Sequence, residues 1–112
     1  MSMSALMEVR DQLMSAGLIR SECEFSEQWL GKSECYMRVL RYSGTEPSAD
    51  AWINCAVKMS ALVDHLSSSS DAGHKHWCYV FSDMRDRCYG EVAARAQRRW
   101  AERAHRKGQA VL

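Results

Sequence analysis

The residues of this 112-residue chain that could do chemistry are four histidines, five cysteines and a crowd of arginines. His74-x-His76-x-Cys78 has metal-ligand character, because imidazole and thiolate donors suit zinc. Its i, i+2 spacing sends the side chains to divergent faces of a helix, and no fourth ligand stands near; His65 could join only across a closed loop. The spacing therefore reads better as a polar helix start beside a buried cysteine. His105 reads as surface. Cys23, Cys35, Cys55, Cys78 and Cys88 are odd in number and include no CxxC, so they form no disulfide framework. Most of them read as small buried hydrophobes in a reducing cell. No glycine-rich phosphate loop, GxSxG or HExxH occurs. No catalytic residue, metal or cofactor is assigned, and the chain is read as a non-enzyme.

The arginines carry the other chemistry, which is ionic. The formal net charge is only +1, but residues 1–66 carry −3 and residues 67–112 carry +4. From Arg85 to Lys107 eight Lys/Arg oppose three Asp/Glu. Arg95, Arg99, Arg103 and Arg106 or Lys107 recur every three or four residues, so one helical face there is strongly positive. Such a face could track phosphates, or it could be a solvated surface packed by its Ala/Trp stripe. A near-neutral whole argues for no polyanion partner, and a basic second half leaves one open.

The elements that position these side chains read as helices throughout. At 46% apolar and 26% charged residues, the chain is a folded domain rather than a disordered one. No apolar run approaches the roughly 20 residues of a membrane span, and no signal-peptide core follows the start, so the chain is read as cytoplasmic, without a membrane partner. The first helix runs from about Ser4 to Ala16 on Leu6, Val9, Leu13 and Met14, and Gly17 stops it. Ser21-Glu22-Cys23-Glu24 fits a capping box for a second helix of about ten residues, with Phe25, Trp29 and Leu30 on one face and Gly31 after it. Ser33 is the expected cap of a third helix, with Tyr36, Val39 and Leu40 inward and Ser43-Gly44 at its end. Pro47-Ser48 opens a fourth, whose stripe is Trp52, Cys55, Ala56, Met59, Leu62, Val63 and Leu66.

Ser67 to Gly73 is the one low-complexity stretch and reads as a linker between a helical core at 1–66 and a helical extension at 74–112. In the extension Trp77, Val80, Phe81, Met84 and Cys88 keep helical spacing. Gly90 either breaks that helix or merely weakens it. If the first four helices close their own core, Trp77, Val80, Phe81, Met84 and Trp100 need another surface, and a second copy is the commonest source. The alternative is that they pack back on helices one and four. Trp29, Trp52, Trp77 and Trp100 read as core rather than as stacking platforms.

A short helix, a turn containing glycine and a second short helix make the most informative constellation. From Gly17 to Leu66 the chain resembles the Cro/repressor-like (XRE-type) helix-turn-helix family. The residues that carry the resemblance are Phe25-Ser26, Gly31, Ser33-Glu34-Cys35-Tyr36 and the loop Ser43-Gly44-Thr45-Glu46-Pro47-Ser48. That family commonly has Ala where its second helix packs on the third. Ser26 takes this place and makes the turn one residue longer.

The resemblance implies an all-α fold and a small DNA-binding transcriptional regulator, working as a homodimer on double-stranded DNA. With Tyr36, Val39 and Leu40 inward, Glu34, Arg38 and Arg41 point outward, and Lys32 and Ser33 lie at the helix start, where phosphates bind. Arg38 could pair with guanine and Glu34 accept from cytosine. The alternative is that these two form an exposed i, i+4 ion pair. Arg95, Arg99 and Arg103 are the expected phosphate contacts. The motif region is acidic: Arg20, Lys32, Arg38 and Arg41 face Glu22, Glu24, Glu27, Glu34 and Glu46. That balance favours a rival, an interaction module such as an inhibitor, anti-activator or adaptor, which binds another regulatory protein without DNA.

Overall fold

Leu6, Val9 and Leu13 stand three and four residues apart, and they form the buried face of α1 (Ser2–Ser15) in the computed structural model, which describes residues 2–107. Met14 falls off that face and is exposed. Gly17, at φ +74°, turns the chain, and the Leu18 N–H donates to the Leu13 carbonyl to close the helix end. Ser21 caps α2 (Glu22–Gln28): its hydroxyl accepts from Glu24 N at 3.1 Å. The Glu24 carboxylate reaches back one residue beyond the cap and accepts from Arg20 N, so the box is formed by one side chain only.

α3 (Tyr36–Ser43) begins three residues later than Ser33. Residues 33–36 instead make a turn in which Tyr36 N donates to Ser33 O, and Cys35 precedes the helix without a side-chain cap. Gly44, at φ +67°, ends it. The buried side chains of α3 are Met37 and Leu40, while Val39 is 53% exposed. The helix is thus rolled about 50° from the expected orientation, at roughly 100° per residue.

Ser48 caps α4 (Ala49–Ser67) by accepting from Ala51 N. Tyr36 ties the two helices together: its hydroxyl accepts from Ser48 N at 3.0 Å. Ala51, Trp52, Cys55, Ala56, Met59, Val63 and Leu66 are buried along α4.

α5 (Ala72–Lys107) is one continuous helix, and Gly90 does not interrupt it. Asp71 starts it by accepting from Gly73 N and His74 N. Thirty-six residues span about 54 Å, which is the 55 Å length of the whole molecule. α5 runs back along α4, from Cys78 beside the Val63 carbonyl to Arg95 at Pro47. Phe81, Met84 and Cys88 join residues of all four other helices in one buried cluster, with Trp77, Val80 and Val92 packed against it. The Ser-rich stretch therefore separates no independent cores. The described residues form five helices and no strand, and no helix is long and apolar enough to cross a membrane.

Candidate nucleic-acid interface

α2 and α3 pack against each other across the turn at Gly31. The end of α2 is closed by wide backbone hydrogen bonds: Leu30 N donates to Phe25 O, and Lys32 N donates to Ser26 O. Ser26 is fully buried. Gly31 sits at φ +66°, and a Cβ there would lie 2.8 Å from Asn54 Nδ2. Asn54 itself donates to Leu30 O, so α4 holds the turn from behind.

The rolled α3 presents Arg38, Val39 and Tyr42 to solvent, with Tyr42 94% exposed. Arg38 makes no ion pair among the described residues, and neither does Glu34, so the i, i+4 pair between them is not formed. Ser33 is exposed beside Cys35. Lys32, expected to meet phosphates at the helix start, donates to Asp50 Oδ2 at 2.9 Å and lies over the Tyr36 ring.

Arg41, expected to point outward, is exposed as expected but is not free. Arg41 binds both oxygens of Glu22, at 2.6 and 2.7 Å, and Arg10 of α1 donates to the same carboxylate. The Arg41 hydrogen bond first, and then Arg10, hold the Glu22 carboxyl below the usual carboxylate range, against the opposing effect of burial. Arg41 therefore fastens α3 to α2 and α1 rather than standing free.

The basic C-terminal face divides at Arg95. Arg95 donates to Pro47 O and lies 3.6 Å from Glu46, with Arg98 at 3.9 Å from the same carboxylate. Phe81, Met84, Cys88 and Arg95 follow one another at three, four and seven residues, so they share the side of α5 that faces α4. Arg99, Arg103 and Arg106 continue that same side beyond the start of α4, exposed and without an ion pair among the described residues. One stripe thus changes from apolar to arginine where its partner helix ends, beside the loop that leaves α3. The Lys107 side chain lies outside the described residues.

The expected intermolecular seam is also corrected. Phe81 and Met84 are buried within this chain, and Trp77 stacks on Phe81 at 5.5 Å. Val80 packs on the same core. Trp100 alone of the five is exposed, at 63%. His74 and Cys78 have separate partners, Ser69 Oγ and Val63 O.

A family model matches residues 6–101, which takes in both the α2–α3 unit and α5 as far as Ala101. The chain belongs to that family. It is described as a family of unknown function (DUF6626). No curated protein and no solved structure matches the chain. In this DUF6626 chain, Met37 in the core, Val39 on the surface and Glu22 as a bridge are what sequence reasoning missed. For Met37 the signal was present, since Met37 and Leu40 also stand three apart. For Glu22 there was none, because its partners lie 12 and 19 residues away.

Proposed function

We propose that this protein is a small transcriptional regulator that binds double-stranded DNA in the cytoplasm. α3 enters the major groove, and the arginine stripe of α5 lies on phosphates. The observation that carries the reading is the pairing of two open surfaces on neighbouring elements: Arg38, Val39 and Tyr42 on α3, and Arg99, Arg103 and Arg106 beyond the α3–α4 loop. Arg38 offers a guanidinium fork to guanine, Val39 an apolar contact for a thymine methyl, and Glu34 an acceptor for cytosine. The α5 stripe supplies the positive charge that the α2–α3 unit lacks. The resemblance to Cro/repressor-like proteins supports the same mode of docking.

Salt-titrated binding to a random-sequence duplex tests this. Affinity should fall log-linearly with salt, with a slope of about −3 to −4 for three or four neutralised phosphates. Arg38→Ala should weaken binding and reduce sequence preference. No binding at low salt would reject the reading.

A second reading has its own observation. Glu24 and Glu27 line the outer side of α2 beside Cys23, and Glu22 neutralises Arg41, so this side repels phosphates. An interaction module would use Val39 and Tyr42 against another protein, and it would show no duplex binding for Arg38→Ala to alter.

A further inference from the structure

Trp100 has the wrong surroundings for a subunit contact. Arg98, Arg99, Arg103 and Arg106 stand within six residues of it, and Glu102 is the one acidic residue among them. A symmetric pairing through Trp100 would bring two such ends together, and like charges at close range oppose contact. The indole is 63% exposed, and on the helix surface it neighbours Arg103 at i+3, on the flank of the arginine stripe. Its partner should therefore be anionic, with an apolar face and a hydrogen-bond acceptor. A deoxyribose with its phosphate has all three properties, matching the ring face and the single N–H of indole.

We propose that α5 beyond Arg95 is a second grip on duplex DNA, in which Arg99, Arg103 and Arg106 bind phosphates and Trp100, on the flank of that stripe beside Arg103, lies on the sugar–phosphate backbone. This inference rests on the DNA-binding reading of α3 and adds a contact with its own residues. A duplex suits the site better than a single strand. Single strands are held by successive aromatics in a concave channel, and this end of α5 offers one aromatic on a straight rod. Arg99 to Arg106 covers about 10 Å along the helix, so the stripe spans a few phosphates. The contact of Arg95 with Pro47 and Glu46 sets this rod beside the loop leaving α3.

The experiment uses the full chain and a labelled random-sequence duplex at low salt. Trp100→Ala should weaken binding about fivefold, the scale of one aromatic contact, and leave the salt slope unchanged, because no charge is removed. Arg99→Ala combined with Arg103→Ala should weaken binding and lower the slope by about 2. Iodide quenching adds a direct readout. Trp29 and Trp52 are buried and Trp77 is half-buried, so Trp100 dominates the quenchable emission. Duplex DNA should shield it. Trp100 is exposed in mid-helix and Ala is the best helix former, so the variant keeps its fold.

Duplex binding by the unaltered chain that Trp100→Ala leaves intact, with no shielding from iodide, would overturn this inference and leave the role of α3 standing. A particle of twice the chain mass that Trp100→Ala halves would make Trp100 a subunit contact and overturn it as well. Tighter binding to a single strand than to the duplex, lost in Trp100→Ala, would make it a stacking platform instead. No duplex binding by the unaltered chain would reject the DNA reading itself.

Discussion

Ser26 is fully buried and its hydroxyl finds no hydrogen-bond partner among the described residues. An unsatisfied buried hydroxyl costs about 1–3 kcal/mol, and Ser is a weaker helix former than Ala. Ser26→Ala should therefore stabilise the protein by about 1 kcal/mol, read as a rise in the chemical-denaturation midpoint. A fall would mean that the hydroxyl has a partner after all. The position was legible only through the resemblance to Cro/repressor-like proteins, which implies a small residue there; nothing in the local spacing marks it. The roll of α3 was not. Tyr36, Val39 and Leu40 make an apolar arc as plausible as Tyr36, Met37 and Leu40. The choice is made by the Tyr36 hydroxyl on Ser48 and by Arg41 on Glu22, contacts between residues 12 and 19 apart. Periodicity within one helix carries no information about either.

Element boundaries set by local chemistry were readable, and those set by distant packing were not. Ser21 and Ser48 cap their helices, and Gly17 and Gly44 end theirs at positive φ, because caps and left-handed turns depend on neighbouring residues. The start of α3 escaped because Ser33 turns the chain without capping the helix. The Ser-rich stretch suggested a division between two units. Whether such a stretch divides a molecule depends on what the following helix packs against, and α5 packs on α4. Gly90 shows the same logic. It is exposed within α5, and a Cβ there would meet nothing within 4 Å. The continuity of α5 past it comes from flanking contacts, Cys88 in the core and Arg95 on Pro47. Gly90→Ala should stabilise the chain by about 0.5–1 kcal/mol through the helix alone. Thermal melts would show it. A destabilised variant would indicate that the helix bends there.

At the scale of the whole molecule, the charges that hold the fold are separate from those left for a partner. Glu22 joins α2 to Arg10 of α1 and Arg41 of α3, and Glu8 joins α1 to Arg87 of α5 at 2.8 Å. Arg38, Arg99, Arg103 and Arg106 take no part in these ties. The separation has a consequence for acid stability. Hydrogen bonding to Arg41, then Arg10, lowers the Glu22 carboxyl, and hydrogen bonding to Arg87 lowers that of Glu8. A group whose folded pKa is depressed contributes stability that is complete above its unfolded value, about 4.3 for Glu, and is lost as pH falls through the lower folded value. Stability should therefore hold down to about pH 5 and decline below about pH 4. Glu22→Gln should lower stability near neutrality by about 1 kcal/mol, the scale of a partly exposed ion-pair network, and flatten the acid decline. At the lowest pH the variant and the unaltered chain should converge, because the Glu22 carboxyl is then protonated in both states. Denaturant midpoints measured from neutral pH into acid would test this. Parallel curves for the two proteins would show that the bridge across α1, α2 and α3 contributes nothing, and that packing of the shared core alone sets the relation of α3 to the rest.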